Sequence, residues 1–354
     1  MNPRGPVELK AEVMDRGLCI GCGACVSLCP YFHSYRGKTS MLFPCVLPAG
    51  RCHAYCPKTS VDLDLLSDRI FGAPFSLEPM GRHLSVRASR AAGKDRPGNV
   101  QSGGTVTALM THALESGVID AAVLTGREGI HAIPGVVTDP ADVARYATSK
   151  FGAAPTVAAY HHAVADGYSS IGVVATPCQA LALAQISVNP MDEPGFVNRN
   201  ALVVGIFCTW ALDERGLASL VADRVKDATI TKFDIPPPPA EVMEIHTDQG
   251  TIEIPLSDVR ALVPDTCGYC FDMTAEFADI SVGQLEGSPG MNTIIIRTER
   301  GRRLVENAAD AGCIELLEMP ESNLSRLADA AMEKKERALA GARNMGIIAY
   351  AVSC

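Results

Sequence analysis

The sequence predicts an α+β or α/β fold in which a small cysteine-rich head precedes a larger mixed α/β domain. Seven of the 13 cysteines lie within the first 56 residues. From Gln101 onwards, helical and strand-like hydrophobic patterns alternate along the chain. A length of 354 residues is sufficient for two domains. We therefore predict a head at 1–62, a linker at 63–97 and the larger domain at 98–354.

The head contains the run C-x2-C-x2-C-x3-C-P, which is typical of bacterial ferredoxins that hold [4Fe-4S] clusters through thiolates. In two-cluster ferredoxins the fourth cysteine of this run ligates the other cluster. The first cluster would then use Cys19, Cys22, Cys25 and Cys56, and the second would draw on Cys29, Cys45 and Cys52. An ideal second motif has cysteines where this chain has Val46 and Ala49. The head is thus predicted to be ferredoxin-like, with one complete and one incomplete site.

Three alternatives remain for the incomplete site: a three-iron cluster, a cluster completed by an outside ligand, or no cluster. The candidate outside ligands are His33, His53 and Cys313. A zinc ribbon or a disulfide knot is also compatible with paired cysteines. The strict three-residue step followed by C-P favours iron–sulfur ligation, and no export signal precedes it. We therefore expect reduced thiols and a cytoplasmic location.

Charge and hydropathy exclude two classes of partner. The formal charge of −9 and a pI near 5.4 argue against a nucleic-acid surface, which requires a basic patch. The most apolar stretch, 201–212, is shorter than the roughly 20 residues of a membrane span. We expect neither nucleic acid nor a membrane span.

The larger domain is predicted element by element from its periodicity. Between 61 and 97 no sustained period is visible, so we predict a linker with only short structure. Helical patterns follow at 105–115, 141–146, 154–165, 180–185 and 217–225, and apolar strands at 119–124, 170–175 and 202–207. Neither a helix nor a strand can continue through the four prolines at 236–239. A hairpin at 243–255, a strand at 292–297 and helices at 302–311 and 324–343 complete the domain.

A second set of cysteines falls at strand ends and in a turn. Cys178 and Cys208 each follow an apolar strand, and Cys267 and Cys270 form a C-x2-C pair. In open α/β sheets, ligands bind at the carboxyl ends of the strands. The residues alone leave two interpretations open: one shared cluster, or buried small thiols beside a separate structural pair.

The larger domain resembles the beta subunit of coenzyme F420-reducing hydrogenase and its relatives. The motifs are G-G-T-V-T-A-L-M at 103–110, A-T-P-C-Q at 175–179, G-I-F-C at 205–208, C-G-Y-C-F-D at 267–272, and A-D-I-S-V-G with T-I-I-I-R-T within 278–298. The similarity runs from about 101 to 345. Relatives include the beta subunit of F420-dependent formate dehydrogenase and reductases of chlorophyll-related substrates. The resemblance implies a domain that binds flavin adenine dinucleotide (FAD), with a [4Fe-4S] cluster on Cys178, Cys208, Cys267 and Cys270 close to the flavin.

The resemblance also indicates the residues around the flavin. They are Ser102, Gly103, Gly104, Thr105, Val106, Thr107, Lys150, Thr176, Pro177, Gln179, Asn292 and Thr293. A small-residue turn before a helix offers free N–H groups to a pyrophosphate, although such a turn is more often only a helix cap. No nucleophile or acid–base pair is assigned. His161 and His162 are interpreted as helix-surface residues.

The implied function is an iron–sulfur flavoprotein oxidoreductase, a subunit that passes electrons between clusters and coenzyme F420 or another soluble hydride carrier. Hydrogenase, formate dehydrogenase or heterodisulfide-reductase-like subunits are the expected partners, with the Cys19 cluster facing them. The alternatives are a ferredoxin-dependent flavin reductase of an organic substrate and a zinc-stabilised binding module. Two departures matter. The hydrogenase subunit lacks the ferredoxin-like head, and Met291 stands where it has a tryptophan.

Overall fold

The computed structural model describes residues 4–93, 100–191, 196–236, 239–346 and 350–351. Positions 94–97 of the predicted linker, two of the four prolines of the predicted stop (237 and 238) and Cys354 lie outside the described residues. The helices are α1 (Pro6–Leu9), α2 (Arg51–Ala54), α3 (Leu63–Phe71), α4 (Thr105–Glu115), α5 (Thr156–Ala165), α6 (Pro177–Val188), α7 (Glu214–Val225), α8 (Leu256–Arg260), α9 (Glu299–Asp310) and α10 (Glu321–Met345). A π-helical segment spans Lys10–Met14, and 3-10 turns span Pro140–Tyr146 and Asp265–Tyr269.

The strands of the described residues form four sheets. They are β1 (Phe32–Tyr35), β2 (Lys38–Met41), β3 (Val61–Asp62), β4 (Ser85–Ala91), β5 (Ala121–Glu128), β6 (His131–Val137), β7 (Ile171–Ala175), β8 (Asn200–Ile206), β9 (Ile230–Asp234), β10 (Val242–Thr247), β11 (Gly250–Pro255), β12 (Ile280–Gln284), β13 (Asn292–Ile296), β14 (Ile314–Leu317) and β15 (Tyr350–Ala351). We call residues 4–62 the head and the described residues from 63 onwards the body.

An eight-stranded mixed sheet forms the centre of the body, in the order β14-β4-β13-β12-β8-β7-β5-β6. The four middle strands, β12, β8, β7 and β5, are parallel, and the strands on either side of them are antiparallel. Strands β7 and β8 and the first half of β5 are almost wholly buried, as expected for parallel strands covered by helices on both faces. The prediction of a mixed α/β domain is confirmed.

Alternate residues of the parallel strands pack into two cores. Val123 of β5 faces a core that also contains Val157 of α5 and Leu183 of α6. Its neighbour Leu124 faces the opposite core, which contains Leu109 of α4. Successive side chains of a strand point to opposite faces of the sheet. Helices α5 and α6 therefore cover one face of the sheet, and α4 and α9 cover the other.

A three-stranded antiparallel sheet, β11-β10-β9, is inserted between β8 and β12 together with α7 and α8. The predicted hairpin is confirmed: Thr247 pairs with Gly250 across a two-residue turn. This insertion has its own core, which includes Phe233 and Met243, and Trp210 and Phe151 pack against it. It therefore forms one side of the crevice above the main sheet.

The structure differs from the predicted linker at 63–97. Residues 63–71 form α3, and β4 pairs with β13 on one side and β14 on the other. The charged residues Arg87 and Arg90 obscure the strand pattern; their side chains bond with Leu317 and Glu315 of the neighbouring strand β14. The main sheet therefore includes residues that precede position 98.

The head is built around its cysteines and is joined to the far end of the chain. Leu9, Val13 and Phe32 form a small core with Cys52 and Cys56. Strand β15 pairs in parallel with β3, so that Tyr350 stands opposite Val61. No helix within the described residues has the length and apolar character needed to cross a membrane.

Candidate functional site

Two cysteines of the body follow neighbouring parallel strands. Cys178 lies in the first turn of α6, directly after β7, and Cys208 lies two residues beyond β8. The carboxyl ends of parallel strands meet at one edge of a sheet, so both thiols reach the same crevice. The Cys208 amide donates a 2.9 Å hydrogen bond to the carbonyl of Met273, which holds its loop in place.

The C-x2-C pair completes a group of four, which we call the body quartet: Cys178, Cys208, Cys267 and Cys270. The Cys270 amide donates to the Cys267 carbonyl at 3.3 Å, so the pair sits on one tight turn. All four residues line a single cavity of about 610 Å³. Burial raises the pKa of Cys178 to about 11 and that of Cys208 to about 12, and the neighbouring thiols add to the effect. The structure thus brings together the two pairs that the residues alone left open.

The donor set of the body quartet fits a metal cluster. A buried thiol that resists ionisation is deprotonated outright when a metal coordinates it. Within the described residues, no three His, Cys, Asp or Glu side chains converge closely enough to hold one metal ion. A [4Fe-4S] cluster needs a different arrangement, since its four thiolates are bound to different irons and surround a volume.

The first head site is also assembled. Cys19, Cys22, Cys25 and Cys56 line one small cavity. Burial raises the pKa of Cys56 to about 12. The loop needs glycine at Gly21, where φ is +68° and a Cβ atom would lie 2.2 Å from the carbonyl oxygen of Gly37. We call this set the head quartet; it is the one predicted by the ferredoxin pattern.

The remaining three head cysteines lie together near the surface. Cys52 is buried, Cys45 is half-buried and Cys29 is exposed. Burial raises the pKa of Cys52 to about 11, and repulsion from Cys29 and Cys45 acts in the same direction. We call these residues the outer triad.

The three candidate outside ligands have other neighbours. Cys313 packs on the body core, where its Sγ is 3.6 Å from Nδ1 of His112, so its placement argues against a role in the head. His53 is buried beside Cys52, with its Nε2 3.6 Å from the carboxylate of Glu12. His33 is exposed and bonds the Pro30 carbonyl at 3.2 Å.

The two quartets share a wall. Ile20, Cys22 and Lys58 line both cavities. The Thr266 hydroxyl donates to the Leu18 carbonyl at 2.7 Å. Further bonds across the junction run from the Val157 amide to the Cys22 carbonyl (3.1 Å) and from Gln185 Nε2 to the Cys56 carbonyl (2.8 Å). The head quartet therefore borders the body on one side, and the expectation that the Cys19 cluster faces a partner stays a prediction.

Both histidines of α5 contact the cysteine loop of the head: His161 is largely buried there, which corrects its interpretation as a surface residue, whereas His162 is exposed, as predicted. His161 Nε2 is 3.1 Å from the Ala24 carbonyl, and burial lowers the pKa of His161 to about 4. His162 Nε2 is 2.7 Å from the Ser27 hydroxyl. A ring in contact with a partner 135 or more residues earlier gives no periodic signal in the sequence.

The N-terminus of α4 opens into the large cavity. Gly104 is the cap residue, with φ +77°, and Val106 and Thr107 line the cavity. Their N–H groups have no hydrogen-bond partner within the described residues, whereas the Thr105 N–H donates to Oδ1 of Asn292 at 3.3 Å. This leaves two free donors at a helix end, which suits an anionic group such as a pyrophosphate.

Eleven of the twelve residues predicted around the flavin line this same cavity: Ser102, Gly104, Thr105, Val106, Thr107, Lys150, Thr176, Pro177, Gln179, Asn292 and Thr293. Gly103 packs behind them, where a Cβ atom would lie 2.6 Å from Oδ1 of Asn292. The side chain of Gln179 is already hydrogen-bonded within the protein, since it accepts from the Thr176 amide and donates to the Ala154 carbonyl.

The side chain of Lys150 bonds to the backbone of its own loop. Its ammonium donates to the carbonyls of Tyr146, Ala147 and Thr148 at 2.5, 2.6 and 2.8 Å, so all three of its hydrogens are used. Burial lowers the pKa of Lys150 to about 7, and the nearby Arg127 adds to this effect. Lys150 therefore shapes the loop that lines the cavity.

Sequence reasoning missed several cavity residues. One of them is Trp210, whose ring centroid lies 6.3 Å from that of Phe151; both rings line the cavity. The buried lysines Lys58 and Lys334 also line it. Lysines usually lie on the surface, so only tertiary contacts reveal these two.

Comparisons with known families cover most of the body and part of the head. Residues 88–161 match the model of the coenzyme F420 hydrogenase/dehydrogenase beta subunit N-term, and residues 168–322 match the model of its C terminus. Together they cover more than half of the chain. Residues 12–31 match the 4Fe-4S binding domain.

Individual relatives agree. The coenzyme F420 hydrogenase subunit beta of Methanococcus voltae is 29% identical over 280 residues, covering 76% of this chain and 98% of that subunit. A subunit of the F(420)H(2) dehydrogenase of Methanosarcina mazei is 26% identical over 337 residues, covering 89% of this chain and 88% of that subunit. A chain of the F420-reducing [NiFe] hydrogenase complex from Methanosarcina barkeri shares the fold, with a TM-score of 0.69, 24% identity and coverage of 75% and 93%. The chain belongs to the coenzyme F420 hydrogenase/dehydrogenase beta-subunit family, carries a 4Fe-4S binding domain and is an oxidoreductase.

Proposed function

We propose that this chain is an electron-transfer subunit that links coenzyme F420, through FAD, to a series of [4Fe-4S] clusters. One observation carries the proposal: the four cysteines of the body quartet, the free N–H groups of α4 and the aromatic side chains of Phe151 and Trp210 all line one cavity. Its volume of about 610 Å³ lies within the range of roughly 300–1,000 Å³ that is typical of ligand sites.

FAD is the cofactor that this lining suits. The N–H groups of Val106 and Thr107 would hold its pyrophosphate at the positive end of α4. Asn292 holds that end in place, since Oδ1 accepts from Thr105 and Nδ2 donates to the Gly283 carbonyl at 3.0 Å. When bound, FAD supplies the conversion between two-electron and one-electron chemistry that side chains cannot perform.

The cysteine groups would form a series. The body quartet borders the FAD cavity, the head quartet lies behind the shared wall, and the outer triad includes the exposed Cys29. In this order electrons pass between the cavity and the surface of the head, where a partner subunit would dock at the outer triad. Candidate partners are hydrogenase, formate dehydrogenase or heterodisulfide-reductase-like subunits.

The lengths of the relatives support a subunit with a fused head. The part of the chain that follows Cys56, residues 57–354, has 298 of the 354 residues, or 84%. The match to the F(420)H(2) dehydrogenase relative covers 89% of the chain, so it must include some of the residues before position 57, in the cysteine-rich head. The coverage of 76% by the hydrogenase beta subunit does not require it. We therefore favour F420H2 oxidation or F420 reduction over reduction of an organic substrate by ferredoxin.

The test is an anaerobic bleaching assay of the full chain, purified and loaded with FAD and iron. Reduced F420, NADH and reduced ferredoxin are supplied in parallel, and flavin absorbance is recorded. We expect about one FAD per chain and bleaching by reduced F420 but not by NADH. Stoichiometric zinc with fewer than about four irons per chain, or a chain that binds no FAD, contradicts the proposal.

A matched pair of cysteine variants localises the cluster next to the cavity. Cys178→Ser is expected to lower the iron content by about four atoms per chain. Cys313→Ala serves as the control, because Cys313 is a body cysteine that contacts His112 and does not line the cavity. Equal iron loss in both variants contradicts the assignment of the body quartet.

A further inference from the structure

Two lysines are buried at the cysteine groups, and neither has a carboxylate partner. Lys58 and Lys334 are each only 4% exposed. Lys58 Nζ donates to the Thr266 carbonyl at 3.0 Å, next to Cys267. Lys334 Nζ donates to the carbonyls of Cys208 and Asp272 at 2.6 and 2.8 Å. Within the described residues neither ammonium forms an ion pair with Asp or Glu, in contrast to the neighbouring Lys335.

A buried ammonium without a counter-charge is costly, so its place in a fold requires compensation. Carbonyl oxygens satisfy the hydrogen bonds but supply no net negative charge. Both lysines line the cavity that the body quartet also lines. A cysteine that coordinates a metal is a thiolate, so a loaded cysteine group would be an anion that these lysines face, and Asp272 is a further acid beside Lys334.

The two lysines differ in which group they reach. Lys58 lines both the cavity of the head quartet and the cavity of the body quartet. Lys334 lies on α10 and lines only the large cavity. Its Nζ bonds the carbonyl of Cys208, which belongs to the body quartet, at 2.6 Å.

We propose that Lys58 and Lys334 are positioning residues whose fixed positive charges raise the reduction potentials of the clusters: Lys58 the potentials of both, and Lys334 that of the body quartet alone. This inference rests on the proposed function, because it requires that the two quartets hold clusters. The physical reason is that reduction adds one negative charge to a cluster, and a cation in a poorly screened interior stabilises that added charge. Because Lys58 lies in the shared wall, its charge would stabilise an added electron on the cluster of the head quartet and on that of the body quartet.

The experiment is a redox titration of the anaerobic full chain, followed by electron paramagnetic resonance, with glutamine replacing each lysine. Glutamine keeps an N–H donor for the carbonyls and removes only the charge. We expect Lys334→Gln to favour the oxidised form of the body cluster by about tenfold, a shift of about 59 mV to lower potential for one electron. Lys58→Gln should lower the potentials of both clusters, and the control Lys10→Gln, at an exposed pair with Asp15, should lower neither.

The outcomes separate the two proposals. Clusters that are present with unchanged potentials in Lys58→Gln and Lys334→Gln overturn this inference alone. Equal shifts of both clusters in Lys334→Gln overturn the division of roles. A wild-type chain without clusters overturns the proposed function and this inference with it. If a glutamine variant fails to retain its cluster, Lys58→Arg and Lys334→Arg, which preserve the charge, must retain wild-type potentials; shifted potentials in them overturn the inference.

Discussion

Thr266 and Leu18 are joined by a 2.7 Å hydrogen bond, and each stands immediately before a cysteine of a different quartet. The bond connects positions 248 residues apart and is fully buried. It holds the Cys267 turn against the Cys19 loop at the wall between the two cavities, and so joins head and body there.

Removing this hydroxyl tests the contact. Thr266→Val leaves the buried Leu18 carbonyl without its donor, which should lower the free energy of unfolding by about 1–3 kcal/mol. The measurement is anaerobic denaturant unfolding of the full chain. Thr247→Val is the matched control, because its hydroxyl makes a bond of the same length to the Gly250 carbonyl at an exposed turn. We expect a change of less than about 0.5 kcal/mol there. Equal effects of the two substitutions argue against a structural link between head and body.

The buried ring of His161 should make stability depend on pH. Its pKa is lowered to about 4 in the folded chain, so protonation favours the unfolded state. The stability that the neutral ring contributes is complete above about pH 6.5 and is lost as the pH falls towards 4. Because the ring keeps some contact with solvent, we expect less than the limit of about 3 kcal/mol. Glutamine cannot titrate, so His161→Gln should reduce the difference between the unfolding free energies measured by denaturant at pH values of about 7.5 and 5.5. His33→Gln, at an exposed head position, is the control, and a difference that His161→Gln leaves unchanged contradicts the assignment.

The sequence predicted several local elements well because these depend on spacing. Helix α4 has the predicted bounds, since Val106, Leu109 and Ala113 recur at helical intervals after a glycine cap. The C-x2-C-x2-C loop likewise determines which thiols are close together. Strand β4 was missed because its arginines bond across to β14 and break the alternation.

Long-range placement could not be read from spacing. Nothing local marks Lys58 or Lys334 as buried, since their hydrogen-bond partners include groups more than 100 residues away. For the same reason the motif identified the head quartet but not the direction in which it faces. That direction depends on contacts such as Gln185 with Cys56, which only the folded chain creates.

Gly103 tests how closely the loop before α4 packs on β13. A Cβ atom at this position would lie 2.6 Å from Oδ1 and 3.0 Å from the amide nitrogen of Asn292, so Gly103→Ala must displace the residue that holds the end of α4. We expect a loss of about 1–3 kcal/mol in unfolding free energy and weaker FAD binding, measured by flavin fluorescence. Gly341→Ala is the control in α10, where the nearest atom outside the helix is 3.5 Å away. It should stabilise the chain by about 0.5–1 kcal/mol. Unchanged FAD affinity in Gly103→Ala contradicts the role of this loop.

In the proposed electron path, the outer triad would be the part nearest the protein surface. Cys45 stands in a segment, 39–50, that has no charged residue, and its neighbours Phe43, Val46 and Leu47 are exposed. Exposed apolar side chains in one short segment are typical of a docking surface. A cluster at this position would lie close to a bound partner.

Cys45→Ala decides whether the outer triad holds a cluster. If it does, the substitution should lower the iron content by about three or four atoms per chain and remove one paramagnetic signal. The head quartet and the body quartet should keep their signals, because neither includes Cys45. Cys313→Ala should change nothing, since its Sγ lies beside His112 in the body core. Unchanged iron and spectra in Cys45→Ala would show that Cys29, Cys45 and Cys52 are ordinary thiols. The electron path would then end at the head quartet, and a partner would have to approach that quartet directly.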